Sequence, residues 1–151
     1  MRINVVNPKY LTDQHLIAEY REMKMITYYY VKSSGTKEGI DESRISDKYT
    51  LNKGHAYMWY NKFGYIKKRF ESICLEMDAR EFKCDYRELD YGGIPESAFG
   101  DFVPDRFDIE INLDRILIRL AKQPLWYKYK RKNIENWNTF YEELFNTNQL
   151  L

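Results

Sequence analysis

Apolar residues recur at helical spacing near the start of the chain. Between Leu11 and Tyr30 they return every three or four positions, which predicts a helix from about Thr12 or Asp13 to about Val31. The opposite stripe of this helix is polar around one small residue, and its members are Gln14, His15, Ala18, Arg21, Glu22 and Met25. Such a stripe indicates either a binding site or a solvated face with incidental ion pairs.

Two later segments carry the same periodicity. A second helix is predicted over residues 56–82, with Gly64 as its weak point. A third is predicted over residues 113–123, because Asn112 is a suitable N-cap and Pro124 stops a helix. Both segments place apolar side chains on one face, as a helix packed against a core requires.

The remaining segments predict one more helix and several loops. "FYEELF" forms a short last helix that Asn138 or Thr139 caps. Residues 90–104 are rich in glycine and proline, so we expect an ordered loop without regular structure there. "DIEINL" is compatible with a strand, yet a lone strand would have no pairing partner.

Together these elements predict an all-α fold. We expect one compact domain over residues 1–151, with three main helices, long ordered loops and a short extra C-terminal helix. A chain of 151 residues buries a core without metals or disulfides. Cys74 and Cys84 are too few to hold zinc, so no metal and no cofactor is expected.

The composition indicates a globular protein of the cytoplasm. Hydrophobic residues make up 44% of the chain and charged residues 31%, and no window approaches the ~18 consecutive apolar residues that cross a bilayer. The opening "MRINVVNPKY" lacks the apolar segment of a signal peptide. We therefore expect a cytoplasmic monomer with no membrane partner.

The net charge of +1 conceals an uneven distribution of charge. Residues 115–132 contain seven cations and no carboxylate, whereas residues 76–114 contain twelve acidic and four basic residues. A local field of one sign attracts a polyanion even when the total charge is near zero. The basic segment therefore predicts a nucleic-acid partner.

Aromatic rings are interleaved with cations in the segment "QPLWYKYKRK", residues 123–132. Cations bind phosphates and flat rings stack on bases, so the combination suits nucleic acid better than either kind of residue alone. The alternative is a tail whose rings pack on the third helix while its lysines remain in water.

Five stretches, in the same order and at similar spacing, resemble one protein family. They are "RIN" at 2–4, "DQHLIAEYRE" at 13–22, "GHAYMWYNK" at 54–62, "IPESAFGDFVP" at 94–104 and "QPLWYKY" at 123–129. The family is that of the pyrimidine-dimer DNA glycosylases, the endonuclease V family of bacteriophage and bacteria. The resemblance extends to about Tyr129 and leaves residues 130–151 as a C-terminal extension.

The resemblance implies a small all-α repair enzyme that acts on double-stranded DNA containing ultraviolet-induced cyclobutane pyrimidine dimers. In this family the N-terminal α-amine attacks C1′ of the damaged nucleotide, expels the base and forms a Schiff base, and β-elimination then cuts the strand. An amine suits this step because it can carry the charge of an iminium, and an α-amine is neutral at pH 7 far more often than a lysine. The family also turns a base out of the duplex, which exposes a sugar otherwise shielded by stacking.

Positions that match the family assign roles to individual residues. The α-amine of Met1 is the expected nucleophile and Glu22 the expected catalytic carboxylate. The expected DNA contacts are Arg2, Gln14, His15, Arg21, Arg115, Arg119, Trp126, Tyr127, Lys128 and Tyr129. His15 is alternatively a structural histidine, and we assign His55 and Asp101 to loop architecture.

Two features depart from the family. "RIN" follows Met1 directly, whereas the phage enzymes expose a threonine before it, so the nucleophile must be an unformylated Met1 amine. The chain is also less basic than the family is, which predicts weaker and less salt-dependent binding to undamaged DNA. The alternatives are a glycosylase for another damaged or modified base, and a relative that binds distorted DNA without catalysis.

Overall fold

The computed structural model describes residues 1–151, and its regular structure is helical. Its α-helices are α1 (Asp13–Glu22), α2 (Lys24–Ser34), α3 (His55–Met58), α4 (Phe63–Ala79), α5 (Arg106–Lys122) and α6 (Trp137–Asn146). Short 3₁₀ turns cover Pro8–Tyr10, Glu42–Arg44 and Glu96–Ala98. β-Structure is limited to isolated bridges, Lys62 with Phe99 and Tyr129 with Lys132. The predicted all-α class is confirmed.

The single first helix predicted from the sequence is two helices, α1 and α2, in the structure. They are separated at Met23, which is fully buried and keeps a right-handed helical backbone. The N–H of Met23 still donates to the carbonyl of Glu19 at 3.0 Å, and the N–H of Ile26 donates to Met23 at 3.1 Å. Because no proline or glycine marks this position, periodicity alone does not reveal the break.

The predicted second helix is also divided, but not at Gly64. The short α3 ends at Met58, and α4 begins at Phe63, so Gly64 lies inside the first turn of α4. The carbonyl oxygens of Phe99 and Gly100 approach there so closely that a Cβ on Gly64 would lie 2.8 Å from each. The glycine therefore serves a close backbone approach by the loop at residues 90–104, which is irregular apart from one 3₁₀ turn, as predicted.

Helix α5 begins seven residues before its predicted start. Asp105 is the N-cap, and its side chain and that of Asp108 exchange backbone hydrogen bonds in a capping box. The predicted cap, Asn112, is instead fully buried inside the helix, where its Oδ1 accepts from the N–H groups of Val5 at 2.7 Å and Val6 at 3.1 Å. The prediction of Asn112 as a cap was wrong, and "DIEINL" is helical rather than a strand.

The last helix also begins earlier than predicted. Asn136 is the N-cap of α6, and its Oδ1 accepts from the N–H of Thr139 at 3.1 Å. The predicted caps, Asn138 and Thr139, therefore lie in the first turn of the helix. The predicted caps are wrong because Trp137, an apolar residue that precedes "FYEELF", already belongs to the helix.

The residues group into two compact units. Unit 1 comprises residues 1–3 and 19–103, and unit 2 comprises residues 4–18 and 104–151. The largest fully buried side chains of unit 1 include Met58, Trp59, Phe63, Ile66 and Phe70. Those of unit 2 include Leu11, Leu16, Ile116 and Tyr141. No helix in either unit has the length and apolar character needed to span a membrane.

Candidate active site

The N-terminal segment of unit 1 is held by hydrogen bonds to the backbone N–H and carbonyl of Ile3. The N–H of Ile3 donates to His55 Nε2 at 2.8 Å, and the carbonyl of Ile3 accepts from the Tyr49 hydroxyl at 2.8 Å. Ile3, Tyr49 and His55 are all buried. The chain is thus fixed two residues after its first amine, and we refer to His55 and Tyr49 as the Ile3 clamp.

The hydrogen bonds of His55 define its tautomer. Its Nδ1 lies 2.7 Å from the carbonyl oxygen of Thr50, which can only accept, so Nδ1 carries the proton and Nε2 accepts from Ile3. Burial lowers the pKa of His55 to about 4; the Thr50 carbonyl opposes that shift, and the positive charges of Arg2 and the N-terminus add to it. The clamp therefore uses a neutral imidazole at physiological pH.

Glu22 lies beside the first peptide group of the chain. Its Oε2 accepts from the backbone N–H of Arg2 at 3.3 Å, and both residues are half-buried. Because three bonds, spanning at most about 4 Å, join the Arg2 nitrogen to the Met1 amine, that amine lies within about 8 Å of the Glu22 carboxylate. Met1 is also half-buried, so its residue is not sealed from solvent. The neighbouring Arg21 is exposed.

A buried ion pair anchors the end of α1 one turn before Glu22. Arg69 of α4 donates to Glu19 through Nε at 2.8 Å and through Nη2 at 3.0 Å. The side chains of Arg69 and Glu19 are 4% and 0% exposed. Since a bidentate pair constrains distance and direction together, it holds the last turn of α1 at the position from which Glu22 reaches the N-terminal segment.

Gln14, at the start of α1 in unit 2, braces the aromatic-basic segment. Its Nε2 donates to the carbonyl of Trp126 at 2.7 Å, and its Oε1 accepts from the N–H of Lys128 at 2.9 Å. Both ends of the side-chain amide are therefore engaged by the backbone on either side of Tyr127. The structure places Gln14 as a support for this segment.

Three rings form a short stack in unit 2. His15 and Tyr127 are parallel, with centroids 5.0 Å apart and planes at 11°, and Trp126 meets Tyr127 edge-on at 4.9 Å. The Nδ1 of His15 lies 2.6 Å from the Thr12 hydroxyl. Trp126 is 56% exposed, whereas Tyr127 is only partly exposed. Trp126 is therefore the most exposed ring of this stack.

The next two residues of the segment are used within the fold. The ammonium group of Lys128 donates to the carbonyl of Leu125 at 3.4 Å and to the side chain of Asn133. The hydroxyl of Tyr129 donates to the carbonyl of Lys9 at 3.0 Å. Both residues are half-buried, so supporting contacts account for much of their surface.

The two predicted phosphate-binding cations lie one turn apart on α5. Arg115 is half-buried and Arg119 is exposed, and their spacing places them on the same side of the helix. Both belong to unit 2, as do Gln14, His15 and the segment from Trp126 to Tyr129. The other predicted site residues, Met1, Arg2, Arg21 and Glu22, belong to unit 1.

Sequence reasoning missed the Ile3 clamp. The sequence predicts only a role in loop architecture for His55 and no role for Tyr49, although "GH" belongs to one of the stretches that resemble the family. The sequence signal that was available is the glycine before His55. Gly54 adopts a φ of 94°, which favours glycine, and it caps α3, whose first residue is His55. No sequence pattern pairs His55 with a residue 52 positions away.

An N-terminal segment clamped beside a carboxylate, in a small helical protein with an exposed aromatic-basic segment, fits a DNA repair enzyme. The chain belongs to the pyrimidine dimer DNA glycosylase family, because the model of that family matches residues 1–88, more than half of its length. The expected family is thereby confirmed, with a DNA glycosylase as its enzyme class and DNA as its substrate. The matched residues include Met1, Glu22 and His55 and end before α5 and the aromatic-basic segment.

Proposed function

We propose that this protein is a glycosylase and abasic-site lyase for cyclobutane pyrimidine dimers in duplex DNA. The α-amine of Met1 is the nucleophile and Glu22 is the assisting carboxylate. The observation that carries the proposal is the hydrogen bond from the backbone N–H of Arg2 to Glu22 Oε2, because it keeps amine and carboxylate within one nucleotide's reach of each other. The family membership of the chain supports the same assignment.

The first step replaces the glycosidic bond by a bond to the enzyme. The lone pair of the Met1 amine attacks C1′, the C1′–N bond breaks, and the base leaves with the bonding electrons and takes up a proton. Positive charge develops on C1′ and the ring oxygen during this step, and the Glu22 carboxylate stabilises it electrostatically. The excised pyrimidine stays tethered to its neighbour through the cyclobutane ring.

The second step opens the sugar and cuts the strand. The C1′–O4′ bond breaks as nitrogen and C1′ form an iminium, and O4′ takes up a proton. A base then removes a proton from C2′, and the C3′–O3′ bond breaks with departure of the 3′ phosphate. We assign the proton removal to Glu22. A carboxylate that faces C1′ in the first step is also close to C2′, because C2′ is bonded directly to C1′. Water finally releases the amine.

The Ile3 clamp supports this chemistry by positioning. A flexible N-terminus would spread its amine over many orientations, and fixing it beside the reacting carbon lowers the entropic part of the barrier. His55 binds the backbone N–H of Ile3 and Tyr49 binds its carbonyl, so only Met1 and Arg2 precede the clamped residue. They are positioning residues that act through the N-terminal segment.

Unit 2 supplies most of the DNA-contact residues in this proposal. Arg115 and Arg119 neutralise phosphates, and the exposed ring of Trp126 stacks against a base. Gln14 contributes by bracing the backbone on either side of Tyr127. A DNA-contact role for Arg2, His15, Arg21, Lys128 and Tyr129 is part of the same proposal.

The proposal is tested by trapping the covalent intermediate. Wild-type protein mixed with irradiated duplex and sodium borohydride is expected to form a stable adduct, because hydride reduces the iminium to an amine. Peptide mapping should place the adduct on Met1. Glu22→Gln should lower the rate of base removal at least a hundredfold, whereas Glu38→Gln, at an exposed position, should match the wild type.

Two results would contradict the roles proposed for Met1 and Glu22. An unchanged rate of base removal in Glu22→Gln, or an adduct that maps to a lysine, contradicts the assignment. Intact mass measurement of the protein used establishes beforehand that Met1 is present and unformylated. Parallel assays on irradiated, oxidised and abasic duplexes distinguish a dimer-specific enzyme from a glycosylase for another base. Binding to irradiated DNA without any trapping would indicate a non-catalytic relative.

A further inference from the structure

The aromatic-basic segment ends in a tight turn built from unusual residues. Tyr129 and Lys132 exchange both backbone hydrogen bonds, at 2.8 and 3.0 Å, around Lys130 and Arg131. The φ angles of Lys130 and Arg131 are 50° and 66°, both in the left-handed region. Positive φ at both central positions defines a type I′ turn, which strongly prefers Asn-Gly or related pairs. We call residues 129–132 the basic turn.

A long cationic side chain is a costly choice at either central position. The left-handed region crowds Cβ against the backbone for every residue except glycine, so Lys130 and Arg131 destabilise the turn relative to Asn-Gly. Backbone strain of this kind persists only where surrounding contacts impose it, and it clusters at functional sites. The identity of these two residues therefore needs a reason other than the stability of the turn.

Asp13 imposes the conformation. Its Oδ1 accepts from the N–H of Lys130 at 3.0 Å and its Oδ2 accepts from the N–H of Arg131 at 2.7 Å. The N–H of Asp13 in turn donates to the carbonyl of Lys128 at 2.8 Å. Asp13 is buried, so these bonds form away from bulk water. The backbone of the basic turn is thus fixed, while the side chains of Lys130, Arg131 and Lys132 lie at the surface.

The charge of this region reinforces the point. The ammonium of Lys128 is directed to Leu125 and Asn133, so the surface cations of the segment are those of the basic turn. Residues 123–134 add no carboxylate of their own, and the Asp13 carboxylate is bound to the N–H groups of Lys130 and Arg131. The exposed ring of Trp126 lies only a few residues away in the same braced segment. A rigid display of cations beside an exposed aromatic ring matches a nucleic-acid strand.

We propose that the basic turn is a phosphate-contact element for duplex DNA, with Lys130 and Arg131 each neutralising one backbone phosphate. The inference rests on the proposed function, since it adds contacts to the same substrate. Because the turn binds the sugar-phosphate backbone and not a base, its contribution is independent of the lesion and of the DNA sequence. It compensates for the low net charge of the chain.

The test compares two double variants with a charge-matched control. Lys130→Asn with Arg131→Gly installs the preferred type I′ residues, and Lys130→Gln with Arg131→Gln removes the charges but keeps the strain. Lys32→Gln with Lys37→Gln removes the same net charge from exposed positions of unit 1. Affinity for an undamaged duplex is measured between 50 and 200 mM salt, conditions in which phosphate contacts dominate.

Both turn variants should bind about tenfold more weakly than the wild type at low salt, and the plot of log affinity against log salt should flatten by nearly two, about 0.9 per phosphate contact. The Asn-Gly variant should also melt a few degrees higher, which excludes misfolding as the cause. The control pair should keep the wild-type slope. A wild-type slope in both turn variants overturns the proposal, as does weakening seen only with single-stranded RNA or anionic vesicles. Borohydride trapping by the same variants on irradiated duplex reports separately on the proposed function.

Discussion

His55 shows how one side chain acquires a role from its surroundings. A histidine after a polar loop has many uses, but here burial and the Thr50 carbonyl select one neutral tautomer that accepts from Ile3. The imidazole has no bond to the proposed reacting atoms. Its effect reaches the Met1 amine through two peptide units, which is why its loss should alter positioning more than chemistry.

The lowered pKa of His55, about 4, predicts a pH dependence of stability. In the unfolded chain the imidazole binds a proton near pH 6.5, so the unfolded state holds more protons between that pH and the folded pKa. The contribution of His55 is therefore complete above about pH 6.5 and falls by roughly 3 kcal/mol as pH drops to 4. Urea unfolding at pH 7.5 and pH 4.5 measures it.

His55→Gln serves as the comparison, because an amide can accept from Ile3 but does not titrate. The variant should lose less free energy of unfolding than the wild type between the two pH values. Equal losses in both proteins would refute the assigned protonation state. The two measurements use the same buffer ions, so that changes in screening cancel.

At the scale of elements, a buried ion pair positions the last turn of α1, which belongs to unit 1. Apolar periodicity predicts that Glu19 and Arg69 lie on two different helices. It does not predict that the two side chains form an ion pair, because a charged residue on an apolar face simply departs from the pattern. The bidentate bond between them, with both side chains buried, orients the end of α1 from which Glu22 projects. The start of a helix depends instead on local contacts. The capping box of Asp105 and Asp108 starts α5 well before the apolar residues that predict this helix.

Arg69→Met should lower the free energy of unfolding by about 3–5 kcal/mol, because it removes the cation that is paired with the buried Glu19 carboxylate. Chemical denaturation measures the change. Arg87→Met removes an arginine from the Asp78 pair, whose side chains are 57% and 42% exposed, and should leave the midpoint close to that of the wild type. Similar losses of unfolding free energy in the two variants would mean that the buried Glu19–Arg69 pair stabilises the fold no more than the exposed Asp78–Arg87 pair.

At the scale of the whole molecule, the C-terminal extension is a structural part of unit 2. Trp137, Tyr141 and Leu150 are buried, and the Tyr141 hydroxyl donates to the carbonyl of Tyr10 at 2.7 Å. The backbone N–H of Asn7 donates to the carbonyl of Leu150 at 2.8 Å. The extension thereby secures the segment that leads from the N-terminus into α1.

A chain ending at Asn133 should be less stable than the full chain by about 5 kcal/mol or more, because three buried apolar side chains are lost at roughly 1.5–3 kcal/mol each. Thermal unfolding followed by circular dichroism measures this loss. Deletion of Leu151 alone, which is 54% exposed, should leave the melting temperature unchanged. If the truncated chain had the same melting temperature as the full chain, the extension would not contribute to the stability of unit 2.

The amino-acid sequence alone determined the helical class, the start of α1, the end of α4 within three residues, the charge separation and the family, because periodicity, composition and local motifs are written along the chain. Tertiary structure alone decided the clamp on Ile3, the Glu19–Arg69 pair, the burial of Asn112 and the grip of Asp13 on the basic turn. Each of these joins residues far apart in the chain, and only folding creates the low-dielectric surroundings in which a polar group must find one particular partner.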